Sequence, residues 1–353
     1  MKTSDPFTSS LLYLGVSSVS VDSLKNGNSI VKTHLSSALL IVNLPKLDMS
    51  LKTLATCAVL ALRVFSVFAS PIDNRSIDGE DLVMTPGGLV PRSNVVAVPE
   101  GARVHHTSNQ VQLVGADGTI IHSAQITKEV SGKSSLSVVP PTVAPRALSS
   151  GYVAYAYAKN SGTSPITSFS TSWAVPANPA SSNGQLLYYF NALVPDSLDA
   201  ILQPVLQFGV SPAGGGSYWA VASWFIVGSI TYYSPLTQVQ PGQMLHGVMT
   251  RNTTTSPYKW NSVFTGVTHS SLTISTTEVL DYAYEALEIY TASSASSLPV
   301  GQTAMTAINV VTQNGQSPAL TWTAVGDPTD GISMSIVSPS TTSGSMQIKY
   351  PTA

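Results

Sequence analysis

From residue 147 onward the chain is built of short alternating segments. YVAYAYA, SFSTSWAV, QLLYYFNALV, SYWAVASWFIV, SLTISTTEV, AYEALEIYTA and MTAINVV follow one another, separated by clusters of Gly, Pro, Asn and Ser. A side-chain period of two belongs to a strand with one buried face, and no stretch here keeps a helical period. Many such strands can bury their apolar faces only by stacking or closing sheets. The region 147–353 is therefore expected to be an all-β sandwich or barrel. No short repeat runs through it, which sets propellers and solenoids aside.

Charge supports the same picture and excludes some functions. Charged residues are 10% of the chain and the formal net charge is -2. Without a basic run there is no footprint for nucleic acid. Between 147 and 353 there are four basic residues (Lys159, Arg251, Lys259, Lys349) and eight acidic ones. So few carboxylates tie little folding free energy to ionisation, so the domain should tolerate acid.

The N-terminal part divides by composition. Residues 49–69, MSLKTLATCAVLALRVFSVFA, place Lys52 before an apolar run from Leu54 to Phe68 and close on Val67-Phe68-Ala69. That is the pattern of a secretory signal peptide, and the run, interrupted by Arg63, is short for a membrane span. Residues 1–48 then read as sequence upstream of a start at Met49. Cleavage near Ala69 removes the one cysteine, Cys57, and leaves a secreted chain with no membrane segment, stabilised by its core rather than by disulfides. Two sequons, NRS at Asn74 and NTT at Asn252, fit that route. Residues 70–146 form a charged, β-rich, propeptide-like segment or an attached accessory module. It holds a hairpin signal around GADGT and ends in the Ser/Pro-rich linker SGKSSLSVVPPTVAPRALSSG.

Several chemistries have no carrier. His246 and His269 lack metal-ligand spacing, no G-x-S-x-G elbow occurs, and the glycine run PAGGGSY, read as a turn, has no lysine to make a phosphate loop. No metal or cofactor is expected. Of the late glutamates, Glu288 shares a strand face with Tyr284, Ala286 and Tyr290, whereas Glu285 shares one with Leu287 and Ile289. The first face suits a polar-aromatic groove and the second a core. In LDAILQPVLQFG, Gln203 and Gln207 interrupt an apolar strand with amides that donate hydrogen bonds without titrating.

ITSFSTSWAVPANPASSNGQ, AILQPVLQFG, YWAVASWF, VQPGQMLHGVM and YEALEIYTASSASSLPVG occur in an order that resembles the eqolisin family of fungal glutamic peptidases, over roughly residues 150 to 312. The resemblance implies a concanavalin-A-like antiparallel β-sandwich, secretion, a propeptide, and cleavage of protein or peptide substrates in acid. It places the family's glutamine on Gln203 through AILQ, and its glutamate on Glu288 or, in a second alignment, Glu285. The carboxylate would act as general base and the amide as oxyanion stabiliser. The groove would be lined by Trp219, Trp224, Tyr284 and Tyr290. A rival reading is a non-catalytic protein that binds glycan or cell-wall polymer on the same sandwich through its aromatic side chains. Trp219 and Trp224 are five apart, so they face opposite sides of a regular strand. A structural protein without a site is the third reading.

Overall fold

The computed structural model describes residues 81–126 and 148–352, with the backbone of four strands between residues 12 and 44. Those four, β1 (Leu12–Leu14), β2 (Ser17–Ser23), β3 (Ser29–Leu35) and β4 (Ala38–Leu44), pair antiparallel in that order. They belong to a unit of their own, Met1–Ile72. The segment 49–69 expected as a signal peptide, the sequon at Asn74 and the linker up to Ala147 lie outside the described residues.

The second unit, Asp73–Ala353, opens with the ribbon β5 (Leu82–Thr85) and β6 (Gly88–Pro91). The strands β7 (Val95–Ala97), β8 (Arg103–His106), β9 (Gln110–Val114) and β10 (Ile120–Gln125) follow. After the linker come β11 (Gly151–Lys159), β12 (Ile166–Ala174), β13 (Leu186–Pro195), β14 (Ala200–Ser211) and β15 (Gly214–Val227). Then β16 (Ile230–Tyr233), β17 (Thr237–Gln238), β18 (Met244–Arg251), β19 (Tyr258–Phe264) and β20 (Leu272–Thr276) lead to β21 (Leu280–Tyr290). The chain closes with β22 (Gln302–Thr312), β23 (Thr323–Val325), β24 (Ser333–Ser338) and β25 (Gly344–Lys349). Every alternating segment named from the sequence is a strand.

These strands form a sandwich. The front sheet runs β23-β11-β21-β13-β14-β15-β16-β7, with β17 beside β15. The back sheet runs β10-β9-β8-β20-β19-β18-β12-β22-β25-β24. Between them lies the main core, with Trp173, Trp260, Phe264 and Met249 from the back sheet meeting Tyr189, Leu206, Phe208, Trp219 and Phe225 from the front. On β13 every residue is buried, which a one-sided sheet does not allow. Leu187, Tyr189 and Leu193 enter the main core, while Leu186, Tyr188, Phe190 and Ala192 enter a second cluster on the outer face of the front sheet. Met84 of β5 packs on that second cluster, so the ribbon is part of what covers it.

The segment preceding the linker is β-rich, and its strands join the two sheets. β7 pairs in parallel with β16 at the edge of the front sheet, and β8 pairs in parallel with β20 of the back sheet. Val104, Val111 and Leu113 are fully buried in the main core, each contributing roughly 1.5–3 kcal/mol of burial. The hairpin read from GADGT is β9–β10, where Gly118 takes φ 87 and Asp117 Oδ1 accepts the Thr119 N–H at 3.0 Å.

Candidate active site

Strand register assembles a row of polar side chains on the outer face of the front sheet. Glu288 on β21 stands opposite Tyr152 on β11 and Tyr188 on β13, and Tyr188 stands opposite Gln207 on β14. Adjacent strands lie about 4.8 Å apart, which puts the Cα atoms of Glu288 and Gln207 about 10 Å apart with Tyr188 between them. Gln203 shares this face but sits four residues, roughly 13 Å, along β14. It stands opposite Trp224 on β15, fully buried, and neither of its amide atoms has a hydrogen-bond partner. The register therefore brings Gln207 into line with Glu288 and leaves Gln203 away from it. The resemblance through AILQ placed the family's glutamine on Gln203; the pairing across β13 puts Gln207, four residues further on, in line with Glu288.

Glu288 is at 0% exposure beneath the β5–β6 turn. The Gly87 N–H donates to its carboxylate at 2.9 Å to Oε1 and 3.2 Å to Oε2, and the Tyr290 hydroxyl donates to Oε1. One residue-width away, the Tyr188 hydroxyl donates to the Met84 carbonyl at 3.3 Å. Burial pushes the Glu288 carboxyl up to about 7, and the Tyr290 and Gly87 hydrogen bonds pull it partly back. Burial, then the Glu288 charge, push Tyr152, Tyr188 and Tyr290 above the ordinary phenol range. All three remain protonated and able to donate.

Gln207 is clasped by backbone. Its Nε2 donates to the carbonyls of Gly209 at 2.8 Å and Gly214 at 2.9 Å. These carbonyls are turned inward by a register shift after Phe208, where Gly209 and Gly215 take φ +105 and +109. A Cβ on Gly215 would lie 2.2 Å from Gly209 O and 2.5 Å from Gln207 Nε2, so glycine is required there. The turn in PAGGGSY is Pro212–Ala213, and the glycines begin β15 as part of the clasp. With both N–H groups engaged, Gln207 is left with a buried Oε1 that has no partner.

The other residues expected at the site divide between the two faces. Glu285 points between the sheets, where it accepts the Thr171 hydroxyl from β12 of the back sheet. Burial holds its carboxyl well above the usual range. Trp219 is a correction to the expected groove. Its place in the alternation puts it with Val221 and Phe225 in the main core, against Tyr189 and Phe208 at ring separations of 5.6 and 5.1 Å. Trp224 is on the face of the row but fully buried, packed on Tyr188 and Tyr233, and Tyr290 is 8% exposed. Tyr284 is half-buried and joins a ladder that sequence reading passed over. Tyr155 stacks on Tyr157, Tyr157 on Tyr284, and Tyr282 packs beside Tyr284, all within 6.3 Å. The signal was the shared parity of YVAYAYA and DYAYEALEIY once β11 and β21 pair.

Elsewhere, Asn252 is exposed in the connection between β18 and β19. His246 meets Ser172 Oγ at 2.8 Å, and His269 Nδ1 lies 3.5 Å from Glu100 Oε2. Among the described residues no three His, Cys, Asp or Glu side chains converge as metal ligands, and no helix is long and apolar enough to cross a membrane. A cleft of about 450 Å³ between the Val98–Arg103 connection and Pro235, His269 and Thr273 is lined by none of the row's side chains.

Fold and face together define a two-sheet β-sandwich protein with a buried glutamate under an N-terminal ribbon. No protein-family model matches the sequence, and no curated protein matches it. Among solved structures, the chain is similar to a scytalido-glutamic peptidase crystallised with a transition-state analog inhibitor. The similarity covers 57% of this chain and 98% of that one, at 13% identity and a TM-score of 0.40. It is also similar to SCP-B, a member of the eqolisin family of peptidases in complex with the tripeptide Ala-Ile-His. There the coverage is 57% and 98%, the identity 13% and the TM-score 0.36.

Proposed function

We propose that this chain is a secreted, acid-acting glutamic endopeptidase for protein or peptide substrates, with Glu288 as the general base and Gln207 as the amide that helps seat the substrate. The supporting observation is the environment of Glu288. A carboxyl that touches a peptide N–H and sits in a row of tyrosines and a clasped amide is placed to handle a peptide bond. The signal-peptide pattern at 49–69 and the exposed Asn252 sequon support the secretory route.

In the same reading, residues 70–146 act as a propeptide-like segment whose β5–β6 turn blocks the base while β7–β10 stay within the two sheets. The block is double, because the covered carboxyl is both occluded and raised to about 7, where it is protonated in acid. Removing the cover returns water and brings the group toward its ordinary value of 4.5. The linkage then has a definite sign. The seated ribbon raises the proton affinity of Glu288, so acid favours the seated state as far as this carboxyl is concerned. Opening therefore calls for release of the ribbon rather than for acid alone.

The test uses the full chain and a Gly87→Val variant of it. Gly87 takes φ +109, where a side chain is strained, and a Cβ there would meet Ile226 Cδ1 at 3.1 Å, so a valine is expected to unseat the turn. Acid proteolysis of a denatured protein is expected from Gly87→Val, to be lost on adding Glu288→Gln and kept on adding Glu285→Gln. Cleavage that survives Glu288→Gln would overturn the assignment. The tyrosine ladder favours one second reading, a glycan-binding face. Binding of soluble cell-wall oligosaccharides that is lost on Tyr157→Ala, from a protein with no proteolysis, would select it.

A further inference from the structure

A base alone does not hydrolyse a peptide bond; the carbonyl oxygen needs a donor as it gains charge. Gln207 does not supply one as it stands, since both of its N–H groups are engaged by Gly209 and Gly214. Tyr290 is engaged by the base itself. In the row between Glu288 and Gln207, the remaining hydroxyl is that of Tyr188. It is already donating to a peptide carbonyl, Met84 O, in a segment whose Gly87 N–H touches the base three residues later. The ribbon thus lies on the row with a carbonyl on the tyrosine and an amide on the carboxylate.

We propose that Tyr188 is the catalytic donor that holds the substrate carbonyl and stabilises its oxyanion, which rests on the assignment of Glu288 as base. Water adds to the carbonyl carbon as Glu288 takes its proton, and a C–O bond forms. The carbonyl electron pair moves onto the oxygen held by the Tyr188 O–H and by groups of the substrate's own surroundings. Collapse breaks the C–N bond, and the proton on Glu288 passes to the leaving amine. The phenol donates throughout without losing its proton. Gln207 Oε1, an acceptor without a partner, fits a substrate peptide N–H beside it.

The experiment uses the full chain carrying Gly87→Val, alone and with Tyr188→Phe or Glu288→Gln, on an internally quenched peptide at acid pH. Tyr188→Phe removes only the hydroxyl and keeps the ring that packs on Trp224 and Tyr290. Loss of one oxyanion donor is expected to lower kcat by about 100- to 1,000-fold, with KM within about threefold of the parent. A structural role would instead lower the unfolding midpoint and leave the surviving folded enzyme its kcat. Unchanged kcat in Tyr188→Phe, with Glu288→Gln inactive, overturns the role of Tyr188 and leaves the base standing. Full activity in Glu288→Gln overturns the base and the tyrosine role that rests on it. No hydrolysis in the Gly87→Val parent overturns both.

Discussion

Replacing Glu288 by Gln should change how stability depends on pH, whatever the protein's activity. The carboxyl is raised from 4.5 to about 7 in the native state, chiefly by burial. Between those values the native chain holds a proton that the unfolded chain has released. Stability from this group is therefore fully present below about pH 4.5, falls as pH rises through 7, and is flat above. The shift of about 2.5 units corresponds to a ceiling of about 3 kcal/mol at about 1.4 kcal/mol per unit. An amide keeps an acceptor for the Gly87 N–H or the Tyr290 hydroxyl but has no proton to lose. Glu285 is also raised by burial and slopes the same way, so the readout is the difference between the two proteins. Urea unfolding at about pH 4 and about pH 8 is expected to show the wild type losing about 3 kcal/mol more than the variant, at equal m-value. Parallel profiles would refute the picture of a carboxyl buried beneath the ribbon.

Gly215→Ala is expected to cost about 1–3 kcal/mol, because its Cβ meets Gly209 O and Gln207 Nε2 in a backbone region unsuited to alanine; a neutral urea midpoint would mean the clasp is absent. Thr171→Val removes the donor to buried Glu285 and should destabilise by about 1–3 kcal/mol without altering peptide cleavage. A cleavage defect in the folded variant would return Glu285 to the site. Leu113→Ala should cost about 2–5 kcal/mol, since its side chain fills the main core; a loss below about 0.5 kcal/mol would show that β8–β10 detach independently. On expression through a secretory route, Asn252→Gln should speed electrophoretic migration by one glycan, and unchanged migration would remove that sequon from the secreted form.

The two glutamates show how far local sequence reaches. The alternation of DYAYEALEIY separated Glu288 from Glu285, and the structure places them on opposite faces, one under the ribbon and one between the sheets. The same parity put Trp219 and Trp224 on opposite faces, but it did not say that both would be buried. Parity names a face; what covers that face comes from elsewhere in the chain. The ribbon that seals Glu288 is 201 residues distant from it in sequence, and no local pattern reports its arrival.

The sequence by itself determined the strands, the all-β class and the side of each strand on which a residue falls, because a pleated backbone alternates whatever its neighbours are. Tertiary structure decided which amide lies in line with Glu288, since Gln203 and Gln207 have the same parity and differ only in register across β13. It also decided that β7–β10 complete both sheets rather than standing apart. Register and strand order are set by the packing of the whole core, a sum over distant side chains that no single segment carries.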